Sequence, residues 1–151
     1  MKTTQNNTLM RSLLLGVFSL LLFSFSCKKR TEYVQYGEFN FENKTSHLVV
    51  LNYPSFSFSI QPGESFLVKQ TQDGQKNPTP DSYSEPISKL INRNTAEVVV
   101  KIGGKCFIST NESEHSIINI KSYKPEKLND VTYKFTFTFT EADYNVAGDC
   151  K

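Results

Sequence analysis

Three cysteines, two histidines and a few closely spaced carboxylates are the residues of this chain whose types and spacing could do chemistry. Cys27, Cys106 and Cys150 stand far apart, and no CxxC pair is present. His115 sits in "NESEH" with Glu112 and Glu114, a set that could touch a metal ion. A structural zinc site usually needs four ligands, and no fourth is spaced with these three, so no residue is assigned to a metal. His47, at the head of "HLVVLNY", reads as a surface residue. Glu141 and Asp143 are two apart. Paired carboxylates can share acid and base roles when held at the right separation. Here they read more simply as acids opening a terminal helical turn, where the helix dipole favours them. No GxSxG, HExxH or phosphate-cradling glycine loop occurs. The expectation is therefore a protein with no catalytic residues and no cofactor, not an enzyme.

The cysteines have to be read with the segment that precedes the first of them. Lys2 and Arg11 are the only charges before Cys27, and residues 13–25 form an uncharged, mostly apolar run. A basic start, a short apolar middle and small residues at the end are the parts of a secretory signal peptide. The run is shorter than the ~20 residues of a comfortable membrane-spanning helix. Two cleavage readings fit. Ser24 and Ser26 flank Phe25 at the spacing an ordinary signal peptidase uses. Alternatively "FSFSC", residues 23–27, resembles the lipobox of bacterial lipoproteins, with a small residue at Ser26 directly before Cys27. Ser24 and Phe25 depart from the usual leucine and small residue of that motif.

The lipobox resemblance implies a diacylglyceryl group in thioether linkage on Cys27, cleavage before it, and further acylation of the new N-terminus. Cysteine arithmetic favours this reading, because a secreted chain with an odd cysteine otherwise carries a free thiol or an intermolecular bond. Lipidation of Cys27 leaves Cys106 and Cys150 to pair or to remain two separate thiols, and the sequence leaves that choice open. The residue after Cys27 is Lys28 rather than an aspartate that would suggest inner-membrane retention, so the resemblance implies the outer membrane. The basic run Lys28, Lys29, Arg30, in place of acidic residues, points to the leaflet facing the periplasm. The organisation expected is a signal peptide over 1–26, a short basic linker over 27–33, and one domain over 34–151.

Of the 17 basic residues, Lys2 and Arg11 precede Cys27, leaving 15 against 15 acidic ones. A near-neutral body gives no electrostatic reason to bind nucleic acid, which requires a basic surface. That body reads as strands. "GEFNFE" and "FSFSI" alternate with period two. Pro62-Gly63 is the central pair of a type II turn. Gly103-Gly104 supplies the positive φ of a tight hairpin turn between residues 96–102 and 105–109. Residues 71–82 lack periodicity, carry Pro78 and Pro80, and read as a long surface loop with Tyr83 the nearest aromatic. A short helix is expected from Pro86 and a helical turn near 116–122. "VTYKFTFTFT" puts Tyr133, Phe135, Phe137 and Phe139 on one face, with threonines and Lys134 on the other. The aromatic row is expected in the core, in a fixed register. "EADYNVA" reads as a closing helical turn with Tyr144 packing back. Turns at this spacing predict an antiparallel meander and an all-β, small antiparallel β-sandwich of about seven strands.

"PGESF" and the ending "YKFTFTFTEADYNVA" are similar to those of small lipoproteins of Bacteroidetes, which tend to carry a β-rich domain. The resemblance implies no activity. The function expected is that of a membrane-anchored envelope lipoprotein. It is held by acyl chains on Cys27, and its non-catalytic sandwich binds or spaces another envelope component. The alternative is a lipoprotein of an uptake system that binds a glycan or small ligand, which exposed aromatics around residues 71–82 would favour.

Overall fold

The computed structural model describes residues 32–91 and 97–150. The signal peptide, Cys27 and the basic linker up to Thr31 therefore lie outside the described residues, as does Ala96 of the hairpin. Eight strands run in chain order as β1 (Tyr33–Asn43), β2 (Val49–Tyr53), β3 (Phe56–Ile60), β4 (Ser65–Gly74), β5 (Glu97–Ile102), β6 (Lys105–Thr110), β7 (Lys124–Asn129) and β8 (Thr132–Phe139). Helix α1 (Ile87–Leu90) follows Pro86, and α2 (Glu141–Val146) follows β8. Short 3-10 turns occupy Pro80–Ser82 and Ile120–Ser122.

The strands form two four-stranded sheets, β4-β1-β8-β7 and β3-β2-β5-β6. Together they make a small β-sandwich. Every pairing is antiparallel except the central one of the first sheet, where β1 and β8 run parallel with Phe39 beside Phe135 and Phe41 beside Phe137. This corrects the all-antiparallel meander. Period-two alternation fixes which face a strand buries but not the direction in which it is threaded, and nearly the whole domain intervenes between β1 and β8.

The alternation itself holds. Phe39, Phe41, Phe135, Phe137 and Phe139 are at most 1% exposed, and Leu51, Ile60, Val98, Val100 and Ile102 face them from the second sheet. Phe39 stacks on Phe135 at 5.0 Å between ring centroids, and Phe137 meets Phe139 edge-on at the same distance. Each buried ring removes about 150–250 Å² from water, which makes this row the main source of stability in the first sheet. Tyr123, from the segment between β6 and β7, meets Phe39 and Phe41 edge-on.

One further expectation is corrected, and one strand was unread. Residues 71–74 are strand, not loop: β4 pairs with β1 as far as Tyr33 opposite Gly74. The polar face of this edge strand hid it, because Gln70 and Gln72 stand at half-buried positions that sequence patterning expects to be apolar. The other edge, β7, is exposed along its whole length and has no apolar period to read. Its Pro125 and lysines suit an edge strand, since they discourage pairing with another chain. The turns match expectation. Gly63 has φ 79° with Glu64 N–H donating to the Gln61 carbonyl at 3.0 Å, and Gly103 and Gly104 have φ 57° and 89°.

The two ends of the first sheet differ. Because β1 and β8 are parallel, one end collects the starts of β1 and β8 and the finishes of β4 and β7. This is termed the entry end. The far end carries α2, which continues from β8.

Candidate functional site

The chemistry-bearing residues gather at the far end, around α2. The sequence "TEAD" starts this helix as a capping box, with the Asp143 carboxylate accepting from the Thr140 N–H at 2.7 Å. The other oxygen of Asp143 lies 2.7 Å from His115 Nδ1. The His115 ring stacks on Phe137 at 4.3 Å, 7° from parallel, so an aromatic of β8 sets its orientation. Burial alone would push the Asp143 carboxyl up. The hydrogen bonds from His115 and Thr140 outweigh it and hold the group below the ordinary range.

Glu141 points the other way. Its carboxylate accepts from the Ser46 N–H, and that bond holds its pKa down. The two acids thus serve different partners, so they are not a facing carboxylate pair. Ser46 and His47 are placed by Asn43, which is fully buried at the end of β1. Asn43 Nδ2 donates to the carbonyls of His47 and Ile60, and its Oδ1 accepts from Thr45 N–H and Oγ1. The result is a rigid loop between β1 and β2. The His47 ring then stacks on Tyr144 of α2 at 3.7 Å, with Lys105 Nζ 4.2 Å from the centre of the Tyr144 ring. Tyr144 does pack back, as its position in the closing turn predicted.

Cys106 and Cys150 form a disulfide, with Cα atoms 5.0 Å apart. This settles the pairing that the sequence left open. The bond draws the C-terminal segment along the edge of β6, where Cys106 and Gly148 exchange backbone hydrogen bonds of 2.7 and 3.2 Å. Cys27 lies outside the described residues.

What this end can do chemically is limited by its partners. His115 is tied to Asp143, and no Ser, Thr or Cys side chain among the described residues is hydrogen-bonded to it. Glu112 and Glu114 do not converge on His115, and no group of three or more His, Cys, Asp or Glu is arranged for a metal among the described residues. The arrangement is a clamp: His115 fixes the segment after β6, and Glu141 fixes the segment after β1, both to one short helix. Asn43 was missed in the sequence, where "FENKTSH" shows only a turn. Its burial depends on residues 17 positions away.

Open hollows of similar size lie elsewhere among the described residues, one of them, of about 370 Å³, between β4 and α1 beside Gln70, Pro86 and Leu90. Another of about 370 Å³ is bordered by Tyr83, Glu85, Asn111 and Asn119. Its acid is already engaged: Glu85 caps α1 by accepting from Ile87 N–H at 2.6 Å, and burial pushes its carboxyl up. Its aromatic is also turned away. Tyr83 is 3% exposed and donates its hydroxyl to the Val131 carbonyl at 3.0 Å, so residues 71–83 present no exposed aromatic for a sugar to stack on. A further hollow, about 380 Å³, lies on the outer face of the first sheet beside Tyr36, Leu128 and Thr132. Among the described residues no helix is long and apolar enough to cross a membrane. No protein family matches the chain, nor does any curated protein or solved structure.

Proposed function

We propose that this chain is a lipid-anchored protein of the bacterial cell envelope whose β-sandwich binds or spaces another envelope component and performs no catalysis of its own. The observation that carries this reading is the leader: Lys2 and Arg11, an apolar run over 13–25, then Ser26-Cys27 and three basic residues. With Cys106 and Cys150 joined, Cys27 is the single cysteine left over, which is the place of an acylated thiol. A stable disulfide also suits an oxidising compartment such as the periplasm. In the described domain every buried side-chain nitrogen and oxygen has a hydrogen-bond partner. Its polar groups are spent on holding the fold, in keeping with a binding or spacing module.

The anchor needs no help from the protein part. Each buried methylene contributes about 0.8 kcal/mol, and two acyl chains already hold a protein stably on a bilayer. The outer membrane, periplasmic side, is the location this reading favours. The test replaces Cys27 with serine. The native chain should carry the added mass of its acyl groups and fractionate with membranes, and the Cys27→Ser chain should lack both properties. A native chain whose intact mass shows a bare Cys27 sinks the reading.

A further inference from the structure

Among the described residues five large apolar side chains are exposed on the first sheet; four gather at one end, and Leu67, 45% exposed on β4 opposite Asn40, stands apart. Tyr33, Val34 and Tyr36 at the start of β1 are 37%, 42% and 47% exposed, and Leu128 near the finish of β7 is 45% exposed. Val34 and Tyr36 alternate with the buried Gln35, so both point off the outer face. Tyr36 is beside Thr132 in the sheet register, Asn129 is paired with Thr132, and Leu128 borders the same hollow as Tyr36. All four therefore lie at the entry end. Tyr33, Val34 and Tyr36 pair in the sheet through their backbones, but none of the four side chains belongs to the core.

The chain that leads into it says what covers it. Six residue steps separate Cys27 from Tyr33, so even a fully extended linker spans only roughly 20 Å. If Cys27 is acylated, the entry end is held within that distance of the lipid. The headgroup layer itself is about 5–7 Å deep on each side. Tyrosine is favoured at that depth because its ring is apolar and its hydroxyl stays wet. Neighbouring charges on the domain include Glu32 beside Tyr33, Asp73 opposite Val34 in the register, Lys76 just past the finish of β4, Asp81 in the turn held by Gln35, and the ion pair of Lys127 and Asp130 at 3.2 Å. That balance on the domain itself offers no net attraction to anionic lipid and fits a zwitterionic surface; the basic run Lys28, Lys29, Arg30 belongs to the linker and not to the rim.

We propose that Tyr33, Val34, Tyr36 and Leu128 form a membrane-contacting rim that seats the entry end of the sandwich in the headgroup layer of a zwitterionic bilayer. The rim orients the domain and turns α2 and the far end outward. The proposal rests on the lipid-anchored reading above and adds a fixed orientation to it.

The chain has no tryptophan, so a single one reports its own surroundings. The acylated full chain carrying Tyr36→Trp, Leu128→Trp or Val146→Trp would be reconstituted into phosphatidylethanolamine–phosphatidylcholine vesicles, with and without bromine on the acyl chains. Val146 is 75% exposed on α2 and serves as the far-end control. The entry-end reporters should emit further to the blue and be quenched severalfold more by bromolipid than the far-end one. Equal, weak quenching at all three sites in chains that float with the vesicles overturns the rim and leaves the anchor standing. A blue shift at the entry end without bromolipid quenching assigns the patch to a second copy and also overturns the rim. Chains that do not float overturn both the rim and the anchor.

Discussion

His115 and Asp143, 28 residues apart, meet at 2.7 Å and pin the segment after β6 to the first turn of α2. The Asp143 side chain is only 6% exposed, so its carboxylate depends on His115 and Thr140 for solvation. Its pKa is lowered in the folded state relative to the ordinary 3.8. A carboxyl with a depressed folded pKa contributes stability that is complete above its unfolded pKa and is lost as pH falls through the folded value. The native chain should therefore hold this contribution at neutral pH and lose it below about pH 4. Asp143→Asn should cost about 1–3 kcal/mol at pH 7, from a weakened cap and a poorer histidine bond. Urea unfolding of both chains between pH 7 and pH 3 checks this: the gap should shrink toward the acid end. A gap that is constant with pH would mean the carboxylate charge is irrelevant to the clamp.

Glu85 should behave with the opposite sign. Burial raises its pKa above 4.5, with hydrogen bonds from Ser88 and Ile87 N–H only partly offsetting the rise. Ionising a carboxyl with a raised folded pKa disfavours the folded state, so stability falls as pH climbs from the unfolded pKa through the folded one. Glu85→Gln keeps an acceptor for the α1 cap and removes the titration. Relative to the native chain the variant should gain stability on going from pH 4 to pH 7. The same urea series measures it, and a variant that loses ground over that interval would contradict the burial argument.

These two carboxyls also show where sequence reading stops. Asp143 was legible as a helix-start acid because the capping box is local, four residues long, and repeats a known chemistry. Its histidine was not, because the partner arrives from another crossover. The aromatic row of β8 was legible for the same local reason: period two decides the face whatever the strand pairs with. Pro62-Gly63 and Gly103-Gly104 announced their turns through φ. By contrast β7 has no face to announce. It is a strand only because β8 presents an unpaired edge to Lys124–Asn129. The end of β4 was hidden because Gln35 and Gln72 satisfy each other's surroundings through Ser82, whose carbonyl accepts from both at 2.8 and 2.9 Å. A buried glutamine and a half-buried one that share a partner look in sequence like solvated ones.

Gly37 tests how tightly that hidden part is packed. It lies on the inward face of β1, and a Cβ there would stand 2.5 Å from Cε2 of the Phe39 ring. That ring cannot simply swing away, since it is stacked on Phe135 and edge-on to Tyr123. Gly37→Ala should destabilise the fold by about 1–3 kcal/mol as an overpacking change, outweighing the small gain from a stiffer unfolded chain. Chemical denaturation gives the number. A neutral or stabilised variant would show that the aromatic row adjusts easily and that its register is held by something else.

Removing a ring from the row should cost more than adding a methyl beside it. Phe137 is fully buried, touches Tyr123 and Phe139, and carries the His115 stack. Phe137→Ala should lose about 3–5 kcal/mol, whereas Thr136→Ala, on the outer face one residue away, should change stability by less than about 0.5 kcal/mol. Thermal melts of the pair compare two faces of one strand. Similar losses at both positions would mean that the outer face of the first sheet is covered by something other than solvent.

The disulfide closes the fold at its far end, and its contribution can be isolated. Cys106 and Cys150 are 44 residues apart in sequence. In the chain-entropy account a loop of that size stabilises by about 3–4 kcal/mol, chiefly by restricting the unfolded chain. Cys150→Ser should lower the urea midpoint by a corresponding amount, and a reductant should do the same to the native chain but nothing further to the variant. The core lies away from the bond, so both should keep the sandwich and its far-ultraviolet signature. The tail from Gly148 onward should then exchange its amide hydrogens quickly, because the two backbone bonds to Cys106 would be all that keeps it on the edge of β6. Unchanged protection of the Gly148 amide after reduction would show that those two bonds hold the tail without the sulfur bridge, and the expected loss of stability would have to be revised downward with it.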